Sequence, residues 1–506
     1  MRFARTKNTL RNIAFGSLNR IINIVLPFIT RTVILYIMGT QYLGLSSLFS
    51  SILSFLSLTE LGIGAAMVYS MYKPIAENDR TTICALLNLY KKLYRIIGAV
   101  ILVLGLSLMP FLKILVPEEL PPDINLYLLY FIYLINAVLS YWLFAYKNAL
   151  VQAYQRDDIN SKIAAIITPA SYAVMLISLF ITKNYYAYVI WLPVFTVLTN
   201  ILRLIFVNRN FPGLEPEGEI SRELKQSIFK KTAALIGTKL NTVVLNAADN
   251  LVMSAFLGLT AIAMYGNYHY IMSSIIGFLG IVYSSMTAGL GNSLQTDSLD
   301  INYRNFEKFS FINSWMVGWC AVCLVCLYQP FMQIWVGEEL TFPFYVVLEM
   351  GLYFYVYQIR KIPVVYKDAA GIWWEDRFRP YVCMIVNVVL NIALVQVIGI
   401  SGIILSTVFS LFVSIPWENY TIFKYVFRRS SKPYYGKMFL SASTMLLAGA
   451  VTLWICSLLS DGIPAFVLKM CICVIVPNVI FALLNCKRPE FHEMMNMVRR
   501  ILKRQF

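Results

Sequence analysis

The chain has 506 residues, 59% of them hydrophobic and 13% charged, with a net charge of +16 and a mean hydropathy of +0.67. A water-soluble protein must cover most of its surface with polar groups, and this composition holds too few, so its length does not signify roughly three soluble domains. Soluble enzymes are excluded in favour of a polytopic membrane protein, because apolar runs of about 20 residues recur and each can cross a ~30 Å hydrocarbon core as a helix.

Hydropathy, Pro/Gly breaks and charge clusters predict an all-α protein with about fourteen transmembrane helices. The spans fall near 12–38, 42–69, 94–116, 125–146, 163–182, 185–207, 232–257, 262–292, 310–336, 344–359, 380–398, 402–423, 439–459 and 463–485. The basic opening "MRFARTKNTLRN" leads into a run that carries Arg20 and Arg31 and lacks a clear small-residue cleavage site. It reads as a retained first span rather than a removed signal peptide. Arg20 and Arg31 are eleven residues apart, about 20° beyond three full turns, so they share one face of span 1. Span 2 carries Glu60 in "LTELGIG", and span 3 ends in "PFLKILVPEEL" (110–120). After span 6 comes a polar, Pro/Gly-rich stretch, "NRNFPGLEPEGEISRELKQSIFKK" (208–231).

Span 7 holds Lys239, Asn246, Asp249 and Asn250; Lys239, Asn246 and Asn250 fall within about 40° of one another on a helix. Span 8 contains His269, with nothing at helical spacing to make it a metal ligand, and it reads as a packed or cavity-lining residue. "CAVCLVC" (Cys320, Cys323, Cys326) in span 9 has a superficial iron–sulfur spacing, but apolar flanks and no nearby fourth ligand favour packing. The nine cysteines suggest no disulfide framework. Span 9 ends in "PFMQIWVGEEL" (330–340), and the Trp373–Trp374 pair reads as an interfacial anchor. Asn387 and Asn391 share a face of span 11. With Asp249 they could supply oxygens to a sodium ion, although polar bonding between helices is the simpler reading. Spans 13 and 14, the latter with Lys469, precede a basic tail.

Nearly all of the 42 Lys and Arg residues fall on alternate connecting segments, with Lys183 on the opposite side. The positive-inside rule then places both termini in the cytoplasm, and the +16 becomes a topology signal and an attraction to anionic lipid, with no nucleic-acid partner required. The connections are too short for a soluble catalytic domain, so no enzyme is expected.

The chain also repeats itself. "PFLKILVPEEL" and "PFMQIWVGEEL" share Pro, Phe, Ile, Val, both glutamates and the final Leu, 220 positions apart; "YKNA" (146–149) matches "YKDA" (366–369) at the same offset. Gly39 matches Gly258, and Arg20 falls on Lys239, at an offset of 219. Six spans per copy make a parallel repeat, related by an axis along the membrane normal. The expected organisation is a six-helix lobe at 1–207, a linker at 208–231, a second lobe at 232–425, an appended helix pair at 426–485 and a tail at 486–506. Two such lobes suit alternating access around a midplane cleft. A cation within a span is costly and normally faces protein or a watery cavity. Arg20, Arg31 and Lys239 are therefore the candidate anion-binding residues, suited to phosphate or diphosphate. The competing reading has Arg31 snorkelling to the interface, or these cations paired with Glu60 or Asp249. Those two acids can alternatively bind a coupling ion, Na+ or H+, and no other cofactor or metal is expected.

Three stretches carry a resemblance: "YLGLSSLFSSILSFLSLTELGIGAAMVYSMYKPIAENDRTTI" (42–83), "LYKKLYRIIG" (89–98) and "TAGLGNSL" (287–294). They resemble bacterial oligosaccharide flippases, the polysaccharide transporters of the multidrug/oligosaccharidyl-lipid/polysaccharide exporter superfamily. The resemblance implies a two-lobed fold like that of multidrug-extrusion (MATE) transporters and lipid II flippases, in the bacterial cytoplasmic membrane. The implied substrates are undecaprenyl-diphosphate-linked oligosaccharide units, moved from the inner to the outer leaflet for O-antigen, capsule or other surface polysaccharide. Cavity arginines and lysines of the superfamily bind the lipid diphosphate, and Arg20, Arg31 and Lys239 correspond by position in the lobes. Spans 13 and 14 resemble extra helices of lipid II flippases that form a groove for the lipid tail. Expected partners are the lipid-linked substrate, membrane lipids and polysaccharide assembly enzymes. The alternatives are a MATE-like drug/cation antiporter, which predicts an acidic or aromatic cleft, and a membrane polysaccharide polymerase or ligase, which generally needs larger outward loops.

Overall fold

The structure is a computed structural model and describes residues 5–60, 63–460 and 462–504. Among these residues it is all helical, with no strand. The chain forms two compact units, Met1–Ala263 and Met264–Phe506.

The first unit contains α1 (Arg5–Ile37), α2 (Thr40–Leu56), α3 (Ile63–Glu77), α4 (Arg80–Leu108), the one-turn α5 (Leu112–Leu115), α6 (Leu126–Trp142), α7 (Lys147–Ala153), α8 (Asp158–Thr182), α9 (Tyr185–Val189) and α10 (Trp191–Asn210). It also takes in the start of the long α11 (Arg222–Thr296). The second unit continues through α12 (Leu299–Val336), α13 (Phe344–Ile359), α14 (Lys361–Ala370), α15 (Arg379–Ile398), α16 (Ile400–Ile422), α17 (Lys432–Ser457), α18 (Ile463–Asn485) and α19 (Pro489–Arg504).

Two glycines matched by the repeat make equivalent breaks. Gly39 separates α1 from α2 with φ of 102°, and Gly258 interrupts α11 with φ of 84°. Both lie where a Cβ is disfavoured. At the second break the Leu259 N–H, orphaned by the bend, donates to Glu118 Oε1 at 2.9 Å. A Cβ on Gly258 would stand 1.5 Å from that oxygen. The first copy of the repeated phrase thus caps a helix start with its glutamate. In the second copy, α12 stops at Gly337 and Glu338–Leu340 form a single 3-10 turn.

Among the described residues, ten helices are long and apolar enough to cross a membrane, or eleven when the bent pair α6–α7 is taken as one span. The expected fourteen is compatible with this. The broken α11 supplies one crossing-length segment where two spans were expected. The second span is divided between α2, with 17 residues, and α3, with 15; the tenth is the single α13, whose 16 residues match the expected 344–359 but fall short of the crossing-length helices.

The repeated "YKNA" and "YKDA" motifs perform one task in both units. Lys147 is buried and donates to Leu214 O at 3.0 Å, with Glu215 Oε2 at 3.4 Å, fixing the stretch that follows α10. Its counterpart Lys367 is buried against Asp376 Oδ2 at 2.6 Å, fixing the loop before α15. A buried ammonium needs such partners to offset its lost hydration.

Candidate functional site

In the first unit α1 places Arg20 and Arg31 on a membrane-spanning helix, as expected. Both are partly buried. The Nε of Arg20 is buried and has no hydrogen-bond partner among the described residues. A guanidinium left under-satisfied inside an apolar span is suited to an incoming anion, because its planar fork of N–H donors matches phosphate oxygens.

Glu60 lies in a 3-10 turn (Ser57–Glu60) between α2 and α3. Its carboxylate is held by tyrosines: Tyr94 Oη donates to Oε1 at 2.5 Å and Tyr141 Oη donates to Oε2 at 3.0 Å. Tyr90 in turn donates to Tyr94 at 2.5 Å. Tyr90 and Tyr94 are four apart on α4, hence on one face, and α6 contributes Tyr141. A Cβ on Gly64 would stand 3.0 Å from the Tyr90 hydroxyl, so a small residue admits the pair. Among the described residues no cation lies at ion-pair distance from Glu60. Two aromatic hydroxyls thus hold the carboxylate, and a third backs one of them.

From α11, Asp249 is buried and Asn250 Nδ2 donates to Ser51 Oγ on α2 at 2.8 Å. Lys239 and Asn246 are on the same helix, but their side chains lie outside the described ones.

In the second unit, His269 stacks on Tyr265, with ring centroids 5.6 Å apart. Asn387 and Asn391 are fully buried between α15 and α16: Asn387 donates to Thr407 Oγ1 at 3.0 Å, Asn391 donates to Asn387 Oδ1 at 3.3 Å, and Ser406 donates to Asn391. Their oxygens are thus engaged in a ladder tying two helices together. Asp249, the third member of the expected sodium set, belongs to the other unit. Cys326 packs with Cys456 and Cys473, three buried thiols whose sulfurs lie within 4.8 Å of one another, amid Leu327, Met445 and Ile472. Sequence spacing reached only Cys326 of the three, because helices distant in the chain supply the others.

A buried ion cluster escaped sequence reasoning. Asp376 accepts from Lys367 at 2.6 Å and from Arg379 Nη2 at 2.8 Å, while Glu418 accepts from Arg379 at 2.9 Å and from Arg360 at 2.6 Å. Burial would raise the Asp376 pKa. The hydrogen bonds and charges of Arg379 and Lys367 outweigh it and hold the carboxyl below its ordinary value. Glu418 Oε2 and Arg360 Nε are buried without a hydrogen-bond partner among the described residues, but the mutual pairing of opposite charges makes this a structural clamp at the start of α15.

The helical architecture and the spans define a polytopic helical fold of membrane-protein type. A lipid II flippase, MurJ, in an inward closed conformation superposes with a TM-score of 0.66 at 14% identity, covering 94% of this chain and 99% of that one. An inward-facing multidrug resistance MATE transporter of the multidrug/oligosaccharidyl-lipid/polysaccharide exporter superfamily gives 0.60 at 13% identity, covering 79% and 94%. A MATE transporter in a bent conformation gives 0.53 at 12% identity, covering 82% and 95%. No family model matches the chain, and no curated protein matches it. The chain therefore has the fold of the multidrug/oligosaccharidyl-lipid/polysaccharide exporters, the superfamily that its sequence resembles.

Proposed function

We propose that this protein is a flippase that moves undecaprenyl-diphosphate-linked oligosaccharide units from the inner to the outer leaflet of the cytoplasmic membrane. Arg20 carries the proposal: a guanidinium within a membrane-spanning helix with a buried, unpartnered Nε. A diphosphate–sugar headgroup cannot cross hydrocarbon unaided, whereas a hydrated cationic path replaces its solvation while the prenyl tail stays in lipid. Arg31 and Lys239 are assigned to the same path. Outward movement of an anion is favoured by an inside-negative potential, which supplies part of the drive.

The tyrosine-held Glu60 is what a drug/cation antiporter would also use. In the flippase it serves as a coupling site for H+ or Na+. Deletion of the gene followed by leaflet-specific analysis of lipid-linked oligosaccharide tests the proposal. Completed units accumulating on the cytoplasmic face support it; normal flipping with only polymerisation missing contradicts it and favours an assembly enzyme.

A further inference from the structure

The first unit contains a second cationic feature that the sequence does not advertise. Between α6, α8 and α10 lies a cavity of about 340 Å³ lined by Ser140, Thr168, Ser171, Thr196, Thr199 and Arg203. Sharing Ile167 with it, and running toward the Asn210 end of α10, is a cavity of about 440 Å³. Its walls are Ile159, Ile163, Ile166, Leu202 and Phe206, with Arg156 and Lys162 at its rim. A chamber of mixed walls, its hydroxyls interspersed with Met175, Leu192 and Phe195, thus adjoins an apolar groove along one helix seam.

Arg203 lines the first cavity, and its chain neighbour Leu202 lines the second. Its Nε donates to Asn160 Oδ1 at 3.1 Å and its Nη1 to Asn200 Oδ1 at 2.8 Å. Both acceptors are neutral amides, which fix the orientation of the guanidinium; Asp157, which accepts from Asn160 Nδ2 at 2.8 Å, acts on it electrostatically from beyond ion-pair distance. Among the described residues no carboxylate lies at ion-pair distance from Arg203. The arginines buried in the second unit differ: Arg360 and Arg379 are closed by Glu418 and Asp376. At the groove rim, Arg156 and Lys162 are likewise paired with Asp158. A permanent charge oriented by amides inside a membrane-spanning helix, with its remaining N–H donors uncommitted to any carboxylate at ion-pair distance among the described residues, is complementary to phosphate oxygens. The adjoining apolar groove is complementary to a hydrocarbon chain.

We infer that the α6–α8–α10 seam is a binding site for a polyprenyl phosphate or diphosphate, with the phosphate at Arg203 and the adjoining isoprene units in the groove formed by Ile163, Ile166 and Phe206. This deepens the flippase reading and rests on it for the choice of a prenyl rather than an acyl chain. Arg203 contacts the ligand directly, while Asn160 and Asn200 are positioning residues.

The test is binding to the full-length protein in detergent, read by native mass spectrometry with undecaprenyl phosphate, undecaprenol, phosphatidylglycerol and inorganic phosphate as probes. Undecaprenyl phosphate is expected to bind and to lose at least about 10-fold in affinity in Arg203→Gln. Arg203→Lys retains part of the affinity, and Ile163→Trp, which fills the groove without touching the arginine, loses it too. Undecaprenol and inorganic phosphate bind weakly, each offering half of the ligand. Unchanged affinity in both Arg203→Gln and Ile163→Trp overturns the site. Equal, Arg203-dependent binding of phosphatidylglycerol overturns the prenyl assignment. Because the assay requires no transport, its failure is separable from failure of the flippase reading, which leaflet analysis decides.

Discussion

At the residue scale the contrast is between charges that are closed and charges that are held open. Asp376, Arg379, Lys367 and Glu418 pair opposite charges with one another in a buried cluster. Because the Asp376 pKa is depressed in the folded state, its contribution to stability is present above the ordinary carboxylate value of about 4. It is lost as pH falls from there through the lower folded value. Thermal unfolding of the wild type should therefore show a loss in that acid window that Asp376→Asn lacks, with the variant less stable at neutral pH. An identical pH dependence in the two proteins would contradict the clamp. Arg20 presents the opposite case. Arg20→Ala should leave expression and stability near wild type while reducing flipping at least about 10-fold, and Arg20→Lys should recover part of it. Arg20 was legible as a charge in an apolar run. Arg203 was not, because a basic residue near the end of a span also satisfies the sidedness rule, and only packing against Asn160 and Asn200 distinguishes it. The partners of Glu60 were half legible: Tyr90 and Tyr94 share a helix face in "LYKKLYRIIG", one of the stretches that carries the family resemblance. Tyr141, 81 positions from Glu60, left no local signal.

At the scale of elements, the repeat explains why short phrases recur. Gly258→Ala combines positive-φ strain, about 1–3 kcal/mol, with a clash against Glu118. Glu118→Ala alone leaves the Leu259 N–H without its acceptor, a cost of about 1–3 kcal/mol. The two should be non-additive, since removing the carboxylate relieves the clash, and a double-mutant cycle on thermal stability measures this. Strict additivity would contradict the cap. The paired lysines give a second comparison. Lys367→Met leaves the buried Asp376 short of a partner and should cost up to about 3–5 kcal/mol. Lys147→Met strands a half-exposed Glu215 and should cost less, about 1 kcal/mol. Equal losses in chemical denaturation would remove that distinction. The glycine breaks and the YKNA/YKDA pair were visible in the sequence as an offset. Their tasks were not, because Leu214 and Asp376 sit on connections whose paths no periodicity predicts.

At the scale of the whole molecule, composition and hydropathy carried the class of protein, and the superposition on the lipid II flippase and MATE folds agrees with the resemblance read from residues 42–98 and 287–294. Substrate identity is chemistry rather than fold, and it rests on intramembrane cations. The most direct measurement is flipping by the purified protein in liposomes containing undecaprenyl-diphosphate-linked oligosaccharide, read by the fraction of headgroups that becomes accessible on the opposite leaflet. The proposed function predicts protein-dependent transfer that falls in Arg20→Ala and does not occur in protein-free vesicles. Transfer no faster than in protein-free vesicles, alongside cation-coupled efflux of drugs by the same preparation, would contradict it.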